Sequence, residues 1–392
     1  MTAFGDFANE PWSIFMIALA AFLLYLGIFK KYEPLLLIPI GFGVLLANFP
    51  GGHMDVVSSV DFPEIKNMTL VQIAESHGIM NMLYYALIKT GLLPPLIFMG
   101  VGAMTDFGPL LRNLRLAFFG AAAQLGIFSV LIAAIAFGFT PQEAGALGII
   151  GGADGPTAIY TSIILAPHLL GPIAIAAYSY MALVPVIIPL VVRFTVTKKE
   201  IKINMKQQDR MYPNKYTIKN LKLVKILFPI SLVLVVSILV PSSTPLLGML
   251  LFGNLIKEIG SDTTRLFDAA SNTIMNAATI FLGLTVGATM TANTFLNKQT
   301  LLIICGGFIA FALSIMGGIF AVKIYNLFSK KKINPLIGAT GLSAVPMASR
   351  VANEIALKED SSNHILQYAM SSNISGVIGS AVAAGILISF LS

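Results

Sequence analysis

Charge is scarce in this chain. Asp, Glu, Lys and Arg make up 11% of its 392 residues against 56% hydrophobic residues, and mean hydropathy is +0.83, which excludes an ordinary soluble domain. Cysteine is almost missing: Cys305 stands alone inside an apolar run, so neither a disulfide framework nor a thiolate metal centre is available. The histidines, His53, His77, His168 and His364, share no metal-ligand spacing. There is no Gly-x4-Gly-Lys-Ser/Thr run, hence no visible ATP motor, and "GFGVLL" from Gly41 lacks the third glycine of a dinucleotide fingerprint. The short alternating segments of membrane barrel strands are absent as well.

Apolar runs of about 15 to 25 residues are what the chain has instead, each near the length a helix needs to cross hydrocarbon. These runs predict an all-α polytopic membrane protein. The first run, 12–29, follows an acidic start (Asp6, Glu10) without a small-residue cleavage site, so it reads as a span rather than a signal peptide.

Cations are concentrated in one place. Between positions 193 and 225 lie Arg193, Lys198, Lys199, Lys202, Lys206, Arg210, Lys215, Lys219, Lys222 and Lys225 against Glu200 and Asp209. This basic loop between apolar spans is a topology signal before it is a polyanion site, and no nucleic-acid partner is expected. Positive-inside then places Lys30, Lys31, Arg112, Arg115, this loop and Lys330 to Lys332 in the cytoplasm, with Asp55, Asp61, Glu64 and Glu75 outside.

Spans follow at 12–29, 35–49, 80–104, 116–139 and 168–192, then at 223–240, 245–259, 277–292, 300–328 and 364–391. Charge bookkeeping leaves two segments that must turn back. One is 144–166, containing "GIIGGADGPTAIYTSIIL", where Gly151, Gly152, Gly155 and Pro156 break a helix. The other is 334–350, "NPLIGATGLSAVPMASR", entering from the opposite side. Irregular backbone survives at membrane depth only inside protein or against a wet cavity.

Ordered likenesses link the halves: "VGAMTDFGPLL" from Val101 with "VGATMTANTFL" from Val286, "PLLLIPIGFG" from Pro34 with "TPLLGMLLFG" from Thr244, Pro156-Thr157-Ala158 with Pro346-Met347-Ala348, and His168-Leu169-Leu170 with His364-Ile365-Leu366. The expected organisation is an N-terminal transmembrane repeat at 1–192, a basic cytoplasmic loop at 193–225 and an inverted C-terminal repeat at 226–392. Ion sites of such transporters lie near mid-membrane, where broken helices meet.

Asp154 is the strongest chemical signal, because a carboxylate near a span centre costs about 2.5 to 3.5 kcal/mol on insertion scales. Freed carbonyls and the hydroxyls of Thr157, Thr161 and Ser162 would add hard oxygens suited to a hard cation. Asp154 can equally be the N-cap of the second half-helix, and the two roles are compatible. In "AAYSYMALVP", Tyr178 or Tyr180 could face Asp154 as proton donor or ligand, or simply bond a carbonyl. Asn334, Ser343 and Arg350 in the second break, with Ser371, Ser372, Asn373 and Ser375 in "SSNISGVIGS", read either as ion ligands or as helix-packing glue. Arg350 is either a positive-inside residue or the receiver of an anion from the cytoplasm. From residues alone, the function is cation transport without a visible energy source.

"GGADGPTAIY", "AAYSYM" and "NPLIGATGLSAVPMASR" together resemble the β subunit of biotin-dependent, sodium-pumping decarboxylases acting on oxaloacetate, methylmalonyl-CoA, glutaconyl-CoA or malonate. The resemblance spans essentially the whole chain, and Ser349 departs from the alanine often found there. It implies a subunit of the bacterial inner membrane that couples decarboxylation of carboxybiotin, carried by a partner, to outward Na+ movement with consumption of a proton. Carried over by motif, it assigns Asp154, Tyr180, Ser343 and Arg350 to catalysis, Arg350 also to the carboxybiotin, and Asp154, Asn334, Gly338, Ser343 and Asn373 to sodium. It further implies carboxyltransferase and biotin-carrier subunits, a small membrane subunit of γ/δ type, surrounding lipid and self-association. A sodium-coupled carrier working without a decarboxylase is the rival reading.

Overall fold

The computed structural model describes residues 7, 11–31, 33–57, 62–213, 220–344 and 347–392. Asp6, Glu10, Asp61, Lys215, Lys219 and Pro346 lie outside the described residues. Within them every regular element is helical. The main helices are α1 (Pro11–Ile28), α2 (Pro34–Ala47), α3 (Ile79–Ile88), α4 (Leu93–Met104), α5 (Leu114–Ala136), α6 (Pro141–Gly148), α7 (Gly155–Leu165), α8 (Pro167–Met181) and α9 (Val184–Thr195). After the basic loop come α10 (Leu221–Leu239), α11 (Thr244–Ile259), α12 (Ser261–Ala288), α13 (Lys298–Phe328), α14 (Pro335–Ala339), α15 (Met347–Glu359) and α16 (Leu366–Leu391).

Local chemistry sets several helix starts. Thr140 and Glu143 form a reciprocal capping box at α6, Asn220 caps α10 through the Leu223 amide at 3.1 Å, and Asn297 caps α13 through the Thr300 amide at 2.7 Å. Six helices (α1, α5, α10, α12, α13 and α16) are long and apolar enough to cross a membrane, and the bent pairs α3–α4 and α8–α9 raise this to eight. Their outward faces carry large apolar side chains such as Phe22, Phe118, Ile132, Leu234, Ile238, Leu301 and Phe320. So much exposed apolar surface is what a lipid solvent requires.

The expected spans 80–104 and 168–192 are each sharply bent, by 63° and 69°. Gly91 at φ +72 followed by Pro94 and Pro95 accounts for the first bend, and Pro185 at the start of α9 contributes to the second. The span expected at 277–292 starts earlier, at Ser261, and contains a π-helical stretch, Ala269–Ile274; another, Tyr84–Ile88, lies in α3. The second break also reaches further than expected, because α15 continues to Glu359.

Polar contacts join the helix ends. At one end of the bundle Lys225 reaches Asp106 at 2.6 Å and Glu258 at 3.3 Å, while Lys257 donates to the Thr105 carbonyl at 2.9 Å. Past the ends of α2 and α12, Asn48 donates to the Met290 carbonyl at 2.6 Å, and the Val56 amide donates to the Ala288 carbonyl.

Helices α4 and α11 pack backbone to backbone, as do α2 and α12. Glycine makes both approaches possible: Gly102 and Gly253 lie against the backbones of Leu250 and Met99, and Gly43 and Gly287 against those of Leu284 and Ile40. A large buried core, including Phe119, Ile127, Ile149, Ile150, Phe311, Ile315 and Leu342, surrounds the two broken hairpins.

Candidate functional site

Two hairpins build the site from opposite sides. The first runs down α6, through a short 3-10 turn at Ile149–Gly152, and back along α7. Its ends are tied near the start of α13, where His168 Nε2 lies 2.9 Å from Glu143 Oε1 and Gln299 donates to the same oxygen at 3.1 Å. Burial alone would raise the Glu143 carboxyl, but hydrogen bonds from Thr140 and His168 outweigh it and hold that carboxyl below its ordinary value.

The second hairpin, α14 to α15, is tied to the segment that follows α9. Asn334 and Asn363 both donate to the Ile201 carbonyl, at 2.7 and 3.0 Å, and Lys198 pairs with Glu359 at 3.9 Å.

The tips meet. Ser343 donates its backbone amide to the Gly152 carbonyl at 2.9 Å and its hydroxyl to Asp154 Oδ2 at 2.7 Å. The tip geometry depends on glycine and on one strained residue: Ala153 adopts φ +54, leading directly into Asp154, and such backbone outliers concentrate at functional sites.

Asp154 is buried, at 4% exposure, and both of its oxygens are engaged. Oδ1 caps α7 by accepting from the Thr157 amide at 3.1 Å. Oδ2 accepts from Ser343 and, at 2.9 Å, from Ser380 of α16. Among the described residues no Lys, Arg or His pairs with this carboxylate. A carboxylate held in low dielectric needs a counter-charge, and hydroxyl donors offset its desolvation only in part.

Beside it lie the Thr157 hydroxyl and the Tyr178 phenol, buried oxygens with no other hydrogen-bond partner, and the Ser349 hydroxyl and the Asn373 side-chain carbonyl are likewise buried and unpartnered on α15 and α16. Hard, mostly neutral oxygens beside one carboxylate fit a monovalent hard cation and do not fit a soft metal. Among the described residues there is no cluster of His, Cys, Asp and Glu able to hold a metal ion in the usual way.

The other expected residues divide. Asn373 holds the second tip, donating to the Leu342 carbonyl at 2.5 Å and to Thr340 at 3.2 Å. Gly338 lies backbone to backbone against Gly318 of α13, where any side chain would collide. Asn334 caps α14 through the Leu336 amide at 3.0 Å, at the inner end of the hairpin.

Arg350 is exposed on α15 and has no partner among the described residues. The Tyr180 hydroxyl bonds the Ile304 carbonyl and its ring meets Phe308 edge-on, so the phenol packed beside Asp154 is Tyr178, whose ring lies against Gly155. Thr161 and Ser162 return their hydroxyls to their own helix, and Ser371 and Ser375 bond the Asn113 and Ala117 carbonyls. Ser380 was not singled out in the sequence; it sits one helical face along from Asn373, seven residues on, a spacing that two turns of helix bring to the same side.

A family model described as "Na+-transporting oxaloacetate decarboxylase beta subunit" matches residues 12–391. The chain belongs to this family. It is similar to the methylmalonyl-CoA decarboxylase subunit beta of Propionigenium modestum, with 48% identity over 390 residues, 98% of this chain and 96% of the relative. The probable oxaloacetate decarboxylase beta chain of Vibrio cholerae is 44% identical over 431 residues, 99% and 97% of the two chains. The methylmalonyl-CoA decarboxylase subunit beta of Veillonella parvula is 46% identical over 388 residues, 99% and 95%. The protein is therefore a multi-pass membrane subunit of a sodium-pumping decarboxylase in the bacterial inner membrane, and a β subunit has companion subunits.

Proposed function

We propose that this chain binds the transported sodium where its two broken hairpins meet, and that occupancy of this site licenses decarboxylation of carboxybiotin presented by a partner subunit. The observation that carries the reading is Asp154: a buried carboxylate at the contact of both tips, held by Ser343 and Ser380, without a cationic side chain. Asp154, Ser343 and Asn373 act as ligands. Asn334 and Gly338 shape the second hairpin, and with it the carbonyls at its tip.

Carboxybiotin supplies a carboxyl group whose loss as CO2 takes up one proton. Arg350, exposed and unpaired, receives that carboxyl from the cytoplasmic side. Tyr180, between α8 and α13, passes the proton inward. The ion leaves outward. The partners in this reading are a carboxyltransferase chain, a biotin-carrying chain and a small γ/δ-type membrane subunit, and the β subunits self-associate. The relatives are named for methylmalonyl-CoA and oxaloacetate; the choice of acid lies in the carboxyltransferase.

The halves are proposed to be inverted copies. In support, α4 packs on α11 as α12 packs on α2, each pair through reciprocal glycines, and π-helical stretches interrupt both α3 and α12.

Sodium binding to the folded state alone stabilises it by RT ln(1 + [L]/Kd), about 2.7 kcal/mol at 100 Kd. Melting should therefore rise with Na+ and far less with K+. Equal shifts with the two ions would refute sodium binding.

A further inference from the structure

We propose that Gln124, on α5 and outside both hairpins, is a further ligand of the transported sodium; this rests on the reading of the Asp154 cluster as a sodium site. Gln124 lies mid-way along an apolar span and is 6% exposed, where an amide must find partners for its donors and its carbonyl. Its Nε2 faces three backbone carbonyls, those of Gly120 at 3.3 Å, Gly341 at 3.4 Å and Gly376 at 3.4 Å. Its Oε1 is buried and has no hydrogen-bond partner.

Exchanging the amide oxygen and nitrogen does not relieve this. A reversed amide would turn its oxygen onto three carbonyl oxygens and leave the nitrogen unpaired, so the carbonyls themselves fix the orientation.

The free oxygen lies beside Gly152, two residues before Asp154 in the first tip. A Cβ built on Gly152 would lie 3.7 Å from Gln124 Oε1 and 3.1 Å from Ser380 Cβ, and Ser380 is the residue whose hydroxyl reaches Asp154 Oδ2. Because residue 152 is glycine, no side chain of its own stands between them, and Ile127 Cδ1, 3.4 Å from the same point, borders the space. The backbone also tightens at this point of α5, with i to i+3 hydrogen bonds from Gln124 to Ala121 at 3.1 Å and from Ile127 to Gln124 at 3.0 Å.

Charge favours an amide here. One carboxylate balances one Na+, and a second would leave the occupied site negative in low dielectric, whereas a neutral carbonyl adds coordination without net charge.

The test uses the complete decarboxylase complex in vesicles, with Na+ as probe and K+ as control. Gln124→Met should raise the sodium concentration for half-maximal decarboxylation about ten-fold, a larger change than any fall in maximal rate, and should shrink the sodium-induced rise in melting temperature. Should that variant fail to assemble, Gln124→Asn, which keeps the amide but shortens its reach, is expected to show the same shift. A variant that melts lower in K+ yet keeps the native sodium half-saturation overturns the inference, since Gln124 would then only brace the carbonyls. Asp154→Asn measured alongside separates the two levels. If it loses the sodium response while the Gln124 variants keep it, only Gln124 is misassigned; if it too keeps the response, the reading of the site itself fails.

Discussion

Gly155 lies so close to the Tyr178 ring that no side chain fits between them. A Cβ at Gly155 would overlap Tyr178 Cε1 and sit 2.6 Å from Cζ and 2.7 Å from Cδ1, where carbon atoms ordinarily keep about 3.5 to 4.0 Å, so ring or helix must give by about 1.5 Å. The ring is 1% exposed and has little room to retreat. Overpacking of this kind costs about 1 to 3 kcal/mol. In Gly155→Ala much of the movement falls on the start of α7, where Asp154 accepts from the Thr157 amide. If only the sodium-bound state suffers, that range is roughly 5- to 150-fold in sodium affinity.

Decarboxylation by the reconstituted complex, titrated with Na+, reads this directly, and melting of the purified complex reads the packing cost. Adding Tyr178→Leu vacates the space and should return part of the lost melting temperature. Native sodium half-saturation together with native melting in Gly155→Ala would refute the packing of Tyr178 over the Asp154 cap.

Lys225→Met should lower melting by leaving Asp106 and Glu258 without their shared cation, and Asp106→Asn added to it should restore part of the loss. Burial raises the Asp106 carboxyl, but Lys225 outweighs this and holds it below its ordinary value. The contact therefore stabilises above the ordinary carboxylate range and fails as pH falls through the depressed pKa; in Lys225→Met this part of the acid loss should be missing, so melting falls less steeply toward acid pH, and an unchanged acid melting profile would contradict that. Arg350→Gln should keep the whole sodium-induced melting shift while decarboxylation at saturating sodium is lost. A reduced melting shift would instead place Arg350 at the ion.

The class of fold was readable because lipid imposes a coarse rule, one apolar run for each crossing, and because lysines mark the cytoplasmic side. Both broken hairpins were readable for a related reason: Gly151, Gly152 and Pro156, and the Asn334 to Arg350 run, interrupt helices where interruption is expensive. Bends were harder to see. Gly91 with Pro94 and Pro95 is a bend signal, yet proline is tolerated in membrane helices, so composition alone did not separate a kinked span from a straight one.

At the site, Asp154 and Ser343 could be paired because each sits at a break. Ser380 was missed since a serine among small residues in α16 looks like its neighbours Ser371 and Ser375, which do serve as packing glue. Only the three-dimensional crossing of α16 over the first tip distinguishes them. The same holds for Tyr178 and Tyr180, two residues apart on one helix and therefore on different faces. Sequence spacing shows that they diverge, and only packing shows that Tyr178 is the one against Gly155.

Asp154→Asn tests the coupling most directly, because it keeps the size and most of the capping geometry while removing the charge. Asparagine and aspartate are about equal at N-caps, so a residue that only capped α7 would tolerate the change. In the reconstituted complex, the variant is expected to allow carboxylation of biotin on the partner chain and then to stall, losing both sodium uptake and sodium-stimulated decarboxylation. Decarboxylation at near native rate, with sodium transport alone abolished, would contradict the claim that sodium at Asp154 licenses the chemistry.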